Sequence, residues 1–328
     1  MIIPVSVVIA SFNGAGRIEA LLEALAGQRA PEDEIIVVVD ASTDGTGAIA
    51  ARFGVRVITN PRNRGVGYGR NAGAAAARHE ILAFFDDDVV PAGNYLDVVR
   101  REMAAPSIAC IQGPHSIVPA GDDAGLWGRV DAAVVHHHCT VTMVRGTKCL
   151  VLYSGAFCIR RQAFLASGGF VESFQGAGGE ELDMGMRLLA NCTLTFVPDL
   201  QSRHRFKALG HRLRTLRARA RHYLRLDRKG RLLPASVAIP EKLRLVLVAT
   251  AVLGAVGALV DVRLSVLALA ALAAFFATDS LLFRNLFRWK IVYLLIPVAV
   301  FRLLTYLTIG LGAAEGMTSH VFRREVSF

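Results

Sequence analysis

The sequence is poor in cysteine and lacks the features of a secreted, disulfide-bonded protein. Its five cysteines are an odd number, widely scattered and without a CxxC pair: Cys110, Cys139, Cys149, Cys158 and Cys192. This usage is typical of reduced, mostly buried thiols. The N-terminus contains neither a basic segment nor a small-residue cleavage site, so we expect no signal peptide and a cytosolic N-terminal part.

Two glycine-rich motifs that bind nucleotide phosphates are also missing. No GxGxxG follows the first predicted strand, which argues against a dinucleotide-binding enzyme, and the absence of GxxxxGK[ST] disfavours a P-loop NTPase. The glycine-rich stretch 65–69 stands before a predicted helix. We interpret it as a place of close backbone approach rather than as a phosphate cradle.

Charge is distributed unevenly along the 328 residues. The formal net charge is +10 and 53% of the residues are hydrophobic, which is high for a wholly soluble protein. Between Arg203 and Arg231 stand twelve Lys or Arg and one acid, which leaves 25 Lys or Arg and 26 acids elsewhere. The basicity therefore belongs to one segment.

Strand and helix patterns alternate along the N-terminal part of the chain. Apolar, β-branched runs that predict buried strands occur at 2–10, 35–39, 55–58 and 81–85. The segments between them carry helical periodicity, most clearly at 17–28 and 67–79. Strands that are apolar throughout and alternate with helices predict an α/β fold with a parallel sheet covered on both faces.

Polar side chains follow three of these predicted strands. Ser11 and Asn13 follow the first, Asp40 the second and the triplet Asp86–Asp88 the fourth. In open parallel sheets, ligands bind beyond the carboxyl ends of the strands. Asp86 and Asp88 face the same side if the backbone stays extended, as a site for Mg²⁺ or Mn²⁺ and a diphosphate requires. A solvated acidic turn is the alternative for the isolated triplet, but the convergence favours a nucleotide site with a metal.

Together these motifs resemble a family 2 glycosyltransferase of the GT-A fold, which is Rossmann-like with a mostly parallel sheet. The segments that carry the resemblance are VSVVIASFN (5–13), VVVDASTDGT (37–46), NRG (63–65), GRNAG (69–73), FFDDD (84–88), SGAF (154–157), GGF (168–170) and GGEELDMGMRL (178–188). Each motif is moderately specific, and their common order makes the resemblance strong.

The resemblance implies a nucleotide-sugar donor and a divalent cation, Mn²⁺ or Mg²⁺. The residues it implies at the nucleotide sugar are Ser11, Asn13, Asp40, Arg70, Asp86 and Asp87. It implies Asp88 and Asp86 as metal ligands, with Asp87 supporting them from behind. His204 is a candidate third ligand or an ordinary helix-end or surface histidine. One residue fewer than usual separates Asp40 from the following Ser-Thr pair, which leaves the role of Asp40 shared or shifted.

The general base implied by the resemblance aligns with Glu180-Glu181. An acceptor hydroxyl needs such a proton acceptor, while the divalent ion neutralises the leaving diphosphate. Glu181 stands where Asp is usual, which lengthens the reach by one methylene and leaves Asp183 as a rival. Ordinary acidic residues at a helix start are the alternative. The adjacent histidines 136–138 cannot all face one ion, so we interpret them as a surface loop.

The basic segment and the residues after it predict membrane association. Residues 209–223 have the pattern of a basic amphipathic helix that lies on an anionic membrane, with nucleic acid as the competing partner. The apolar segments 245–260 and 264–283 predict a transmembrane hairpin, and this decides against nucleic acid. The apolar segment 291–314 contains Arg302 and predicts a third span or a re-entrant helix. Lys and Arg at both ends of the hairpin predict a multi-pass protein of the cytoplasmic (inner) membrane, with its catalytic domain facing the cytoplasm.

The sequence therefore predicts four regions and one main function. The regions are a catalytic domain at 1–202, an interfacial segment at 203–241, a membrane region at 242–314 and a tail at 315–328. The main hypothesis is a metal-dependent, inverting transfer of a sugar to a lipid-linked or cell-envelope acceptor. The enzymatic alternative is a polyprenyl-phosphate monoglycosyl synthase, whose acceptor phosphate needs no base. The non-enzymatic alternative is a catalytically silent, nucleotide-sugar-binding membrane partner.

Overall fold

The computed structural model describes residues 2–121, 124–141, 152–153, 155–172, 180–227 and 235–324. The chain divides into two compact units. The first comprises Met1–Ala124 and His138–Phe206, and the second comprises Gly125–His137 and Lys207–Phe328. The predicted boundaries at residues 202, 241 and 314 stay predictions.

The first unit is built on a seven-stranded sheet. The strands of the described residues are β1 (Val5–Ser11), β2 (Glu34–Asp40), β3 (Arg56–Asn60), β4 (Ile81–Asp86), β5 (Val89–Pro91), β6 (Cys110–Gln112), β7 (Ala156–Arg160), β8 (Leu194–Phe196) and β9 (Ser202–His204). The sheet has the order β3-β2-β1-β4-β7-β6-β8, and only β7 runs antiparallel to its neighbours. Strands β5 and β9 form a separate antiparallel pair. The predicted mostly parallel α/β fold is confirmed.

Helices cover both faces of this sheet. They are α1 (Ile18–Ala26), α2 (Thr46–Arg52), α3 (Val66–Ala76), α4 (Tyr95–Met103), α6 (Arg161–Ala166) and α7 (Glu180–Asn191), whereas α5 (Gly125–Val141) lies mostly in the second unit. Alternate residues of β1 enter opposite cores: Val7 belongs to the core that contains α1, and Val8 to the core that contains α3. Gly69 lets α3 lie directly on β1, because a Cβ there would come within 2.9 Å of Ala10. This close approach carries the next residue of α3, Arg70, to the end of the sheet.

The histidines 136–138 lie within α5 rather than in a surface loop, so that prediction is wrong. The ring of His136 packs edge-on against Trp289, and His137 lies within hydrogen-bond distance of Asn285. Their helical neighbours are mostly apolar, from Val130 through Val135, and this continues the helix through the three histidines.

The second unit is helical. Besides the first part of α5, its helices are α8 (Leu209–Asp227), α9 (Ala235–Gly257), α10 (Leu264–Ala277), α11 (Ser280–Arg288) and α12 (Leu295–Arg324), the last preceded by a 3₁₀ turn (Val292–Leu294). The amphipathic pattern of residues 209–223 therefore coincides with a helix, α8. The segment 291–314, for which the sequence left a span and a re-entrant helix open, is one continuous helical stretch.

Within the described residues, Val292–Gly316 is long and apolar enough to cross a membrane, with 25 residues. The segment predicted as a continuous second span at 264–283 is bent instead, because α10 and α11 meet at 51°. Helix α10 alone has 14 residues, or about 21 Å, which is shorter than the roughly 30 Å of a bilayer core. The bent pair counts as a second crossing segment only if both helices form one span.

Candidate active site

The carboxyl ends of β1, β2 and β4 meet at one edge of the sheet because these strands are parallel and adjacent. The register pairs Ala10 with Asp86 and Ser11 with Val39. The polar residues that follow the three strands are therefore neighbours in space. This edge is the candidate active site.

Asp40, at the end of β2, organises the loop that leads into α3. Its buried carboxylate accepts hydrogen bonds from the backbone N–H of Arg64 at 2.9 Å and of Gly65 at 2.8 Å, and from the Asn60 amide at 2.9 Å. Gly65 has a φ of 89°, a conformation that favours glycine. Asp40 thus fixes the shape of one wall of the site.

Ser11 and Asn13 connect the end of β1 to two other loops. The Ser11 hydroxyl donates to Asp87 at 2.5 Å. Asn13 has a φ of 49°, accepts a hydrogen bond from the backbone N–H of Thr43 and donates its own N–H to Ser42. The loops after β1 and β2 are therefore held together at the site.

The aspartate triplet does not continue as a strand. Strand β4 ends at Asp86, and Asp87 and Asp88 form a turn before β5 begins. The condition under which Asp86 and Asp88 would face one side by strand alternation is therefore not met. Each of the three carboxylates has a different partner instead.

Asp86 is paired with a buried arginine on α3. The Arg70 guanidinium donates to Asp86 Oδ1 at 2.6 Å, and its other nitrogen lies 3.7 Å from Glu180 Oε1 at the start of α7. The Arg70 side chain is only 2% exposed, and its guanidinium carbon lies 4.9 Å from the Phe170 ring centroid. Arg70 therefore reaches two carboxylates from behind the site.

Asp87 is bound on the inner side of the turn. Besides the Ser11 hydroxyl, it accepts two hydrogen bonds from Arg17, from Nε and from one terminal nitrogen, each at 3.0 Å. The structure thus places Asp87 against β1 and the residue before α1. Arg17 is a site residue that the sequence analysis missed, and no local motif marks it.

Asp88 faces two histidines from later parts of the chain. The pairing of β5 with β9 sets Val89 opposite His204, and His204 Nε2 lies 3.3 Å from Asp88 Oδ1. His115 stacks near His204 with ring centroids 5.3 Å apart, and its Nδ1 lies 2.9 Å from the Ser202 hydroxyl. His115 was also missed, although it follows the short apolar strand β6 and obeys the same strand-end rule as the other site residues.

Burial shifts the proton affinities of two groups here. It raises the pKa of Asp86 to about 6, against the opposing effect of Arg70, and Asp88 adds to the rise. Burial also lowers the pKa of His115 to about 3, and His204 acts in the same direction. The Arg70 guanidinium has a raised pKa because the attraction of Asp86 and the nearby glutamates outweighs its burial.

The acidic residues at the start of α7 differ in their surroundings. Glu180 is buried beside Arg70, whereas Glu181 is partly exposed. Asp183 is buried, accepts a hydrogen bond from Arg187 Nε one turn later at 2.7 Å, and forms an ion pair with the same guanidinium at 2.6 Å. The glycine-rich lead-in at 176–179 and residue 154 of the SGAF motif lie outside the described residues.

The donor atoms present suit a divalent cation only in part. Among the described residues, no three His, Cys, Asp or Glu side chains are gathered so that they could hold an ion. Asp88 and His204 are close together, and the Asp86 side chain stays 30% exposed beside them. Carboxylate oxygens and an imidazole suit Mn²⁺, and such ions commonly complete their shell with water and substrate phosphates. The residues therefore fit an incomplete shell that a diphosphate would complete.

The sequence model described as "Glycosyl transferase family 2" matches residues 6–165. The match covers 160 of the 328 residues, just under half of the chain. The matched segment contains the aspartate triplet, Asp40 and Arg70, and it ends before Glu180 and His204. The assignment of this family 2 domain agrees with the resemblance drawn from its motifs, and its sheet has the GT-A topology.

Named proteins are similar to this chain over part of their length. The succinoglycan biosynthesis protein ExoO of Rhizobium meliloti is 38% identical over 105 residues, which cover 31% of this chain and 30% of the relative. The pre-mycofactocin glycosyltransferase of Mycobacterium tuberculosis is 28% identical over 208 residues, 59% of this chain and 41% of the relative. The matches thus span less than half the length of these curated relatives.

A solved structure shares the fold. The mannosyltransferase PcManGT from Pyrobaculum calidifontis, in complex with GDP-Man and Mn²⁺, superimposes with a TM-score of 0.56 over 93% of this chain and 86% of that chain. The sequences are 19% identical. At that identity the likeness shows the GT-A fold and nothing finer.

Proposed function

We propose that this family 2 glycosyltransferase is membrane-associated and moves a sugar, with inversion, from a nucleotide-sugar donor to a lipid-linked or cell-envelope acceptor. One observation carries the proposal. At a single edge of the sheet, Asp88 lies 3.3 Å from His204, and the arginine that pairs with Asp86 also lies 3.7 Å from Glu180. A site for a charged leaving group and a site for an acceptor would thus lie side by side.

We assign the donor to the ends of β1 and β2. The loops joined by Asn13 and Asp40 would line the base and ribose, and the aspartate triplet would meet the diphosphate. The PcManGT structure, which holds GDP-Man and Mn²⁺, supports a nucleotide sugar and a divalent cation in a fold of this type. Asp88, His204 and Asp86 would hold Mn²⁺ or Mg²⁺, and the ion would neutralise the charge of the leaving diphosphate.

Glu181 is the residue we assign as general base. A base must be able to approach the acceptor hydroxyl, and Glu181 is partly exposed where Glu180 and Asp183 are buried. Asp183 also forms a close ion pair with Arg187, which makes it a poor proton acceptor for an incoming substrate. Proton removal by Glu181 would leave the acceptor oxygen free to attack the sugar.

The second unit is the part we assign to the membrane. The helix Val292–Gly316 supports association with a bilayer, and the arginines of α8 would meet anionic headgroups. We extend the proposal to a multi-pass arrangement in the cytoplasmic (inner) membrane, with α9 and the bent α10–α11 pair as further crossing segments. The flanking cations Lys242, Arg284 and Lys290 favour the cytoplasm for the ends they mark.

A panel of nucleotide sugars with Mn²⁺ or Mg²⁺ tests the proposal. We expect one donor to raise the melting temperature of the protein and to release its nucleoside diphosphate when membrane lipid extract supplies an acceptor. Asp88→Ala should abolish the metal-dependent release. Asp97→Ala is the matched control, because Asp97 lies on α4 with its side chain 76% exposed. Full metal-dependent activity of Asp88→Ala would overturn the site assignment.

Glu181→Gln separates the proposal from its two alternatives. Loss of turnover with retained donor binding supports a base and a hydroxyl acceptor. Retained turnover would favour a polyprenyl-phosphate synthase, because an ionised phosphate acceptor needs no base. Nucleoside diphosphate binding without product from the wild-type protein, whatever acceptor is supplied, would identify a silent nucleotide-sugar binder.

A further inference from the structure

Arg70 joins the two halves of the candidate active site. It lies on α3, and its guanidinium reaches Asp86 at the end of β4 at 2.6 Å and Glu180 at the start of α7 at 3.7 Å. These three segments are far apart in the sequence. The Arg70 side chain is 2% exposed, and an arginine is rarely so buried unless it is paired.

Two carboxylates compete for this one guanidinium. The contact with Asp86 is a short, charge-assisted hydrogen bond, whereas the distance to Glu180 is too long for a direct hydrogen bond. The Arg70 and Glu180 side chains are 2% and 5% exposed, so the contact between them is screened little by water, whereas Asp86 is 30% exposed and open to a ligand. A change in the charge beside Asp86 will therefore alter the pull of Arg70 on Glu180.

We propose that Arg70 is a positioning residue that couples donor binding at Asp86 to the placement of the Glu180-Glu181 pair at the start of α7. The inference rests on the proposed function and deepens it. A divalent ion held at Asp86 with the donor diphosphate would neutralise part of the charge of that carboxylate and weaken its hold on Arg70. The guanidinium then closes on Glu180, and α7 brings Glu181 to the acceptor.

Lysine cannot replace arginine in this role. A planar guanidinium presents its nitrogens to two carboxylates at once, whereas an ammonium is a single point charge. Arg70→Lys keeps the positive charge and most of the apolar stem, so it removes the fork without leaving two buried acids uncompensated. Arg52→Lys is the matched control, because Arg52 pairs with Glu19 on the surface.

Hydrogen exchange on the full-length protein in detergent tests the coupling without catalysis. The probes are GDP and UDP with MnCl₂, of which the one that stabilises the wild type is used. We expect the nucleotide to slow amide exchange at residues 181–185 by about fivefold or more in the wild type and in Arg52→Lys. In Arg70→Lys we expect that protection to be lost at a nucleotide concentration that saturates the variant.

Turnover gives a second readout. Arg70→Lys should lower kcat, measured at saturating donor, by about 10- to 100-fold, since a small misplacement of a reacting group is costly. Glu180→Gln should have the same signature and the same loss of protection, and the two effects should be strongly non-additive in the double variant. Glu180→Gln also keeps the test open if Arg70→Lys does not fold.

The outcomes separate the inference from the proposed function. If neither nucleotide binds the wild type and no donor is turned over, the proposed function is wrong, and this inference is wrong as well. If a nucleotide binds but protection at 181–185 is absent in the wild type or unchanged in Arg70→Lys and Glu180→Gln, only the inference is overturned. Additive effects of the two substitutions on kcat would overturn it as well.

Discussion

Two clusters of charged side chains, one in each unit, differ in the sign of their excess charge and in their exposure. In the first unit, three aspartates at 86–88 stand at the end of β4. In the second, the single aspartate Asp279 stands between α10 and α11 and pairs with Arg244 at 3.2 Å and Arg302 at 2.6 Å. The Asp86 side chain is 30% exposed, whereas that of Asp279 is 4% exposed.

The difference indicates what each cluster is for. An acidic cluster that remains open at a strand end can exchange its internal partners for a ligand. A single acid enclosed by two arginines has no such freedom. Asp279 connects the junction of α10 and α11 to α9 through Arg244 and to α12 through Arg302. Substitutions in the first cluster should therefore change activity more than stability, and substitutions in the second should do the reverse.

The largest effect is expected at the enclosed cluster. Asp279→Ala leaves two largely buried arginines without their shared carboxylate, and loss of one member of such a group costs about 3–5 kcal/mol. Chemical unfolding of the purified protein in detergent should show a loss of this size. Asp261→Ala is the control, because Asp261 is exposed at the turn between α9 and α10.

A charge exchange tests whether the pair itself matters. Asp279→Arg combined with Arg302→Asp should recover part of the stability that either single substitution loses. Unfolding of Asp279→Ala indistinguishable from Asp261→Ala would show that the cluster does not hold the helices together. The claim that the Asp279 cluster acts mainly on stability would then be wrong.

The sequence predicted the architecture of the first unit because its signals are local. Uniformly apolar strands alternate with helices, and a parallel sheet brings the strand ends together whatever the loops do. Ser11, Asn13, Asp40 and the triplet were found by this rule. The same rule did not predict the sides that Asp86 and Asp88 face, because the turn at 87–88 depends on Arg17 and Ser11 binding Asp87.

Other parts of the site depend on contacts between distant segments. His115 meets Ser202 only because β9 lies beside the segment after β6, and no spacing in the sequence reveals this. The link from Asp86 through Arg70 to Glu180 likewise joins three separate elements. In the second unit, hydropathy located the apolar segments. It did not predict the bend at Asp279, because the two arginines that pair with Asp279 lie far from it in the sequence.

The second-largest effect is expected at the open cluster. Asp88→Asn removes the charge that faces His204 but keeps the shape of the side chain, and we expect turnover with the preferred nucleotide sugar to fall by about 100- to 1,000-fold. The free energy of unfolding should change by less than about 1 kcal/mol, because the pair with His204 is partly exposed. Asp88→Asn would then lower the rate much more than the stability, whereas Asp279→Ala would lower the stability much more than the rate. A loss of stability that matches the loss of rate would contradict this division of roles.

A smaller effect should appear within the triplet itself. Asp87 is the member bound inward, and its side chain is 10% exposed beside Arg17. Arg17→Ala should destabilise the fold by about 1–2 kcal/mol, because it leaves a mostly buried acceptor with fewer donors. Arg52→Ala, at an exposed pair with Glu19, should change stability by less than about 0.5 kcal/mol. Equal effects of the two in urea unfolding would mean that Asp87 does not hold the turn.

The smallest effect is expected at Glu34, an acid at the end of β2 that is opposite to the candidate active site. It accepts hydrogen bonds from Ser6 at 2.6 Å and from the backbone N–H of Arg78 at 2.5 Å, and these outweigh its burial and lower its pKa from the ordinary value of 4.5. Because the folded pKa is the lower one, the charged form stabilises the fold above pH 4.5, and this contribution disappears as the pH falls through the folded value.

Glu34→Gln should therefore cost up to about 1 kcal/mol at pH 7, with a difference from wild type that shrinks below pH 4.5. Glu80→Gln, whose side chain is 65% exposed, should show little difference at either pH, and a pH-independent cost for Glu34→Gln would mean that its ionisation plays no part.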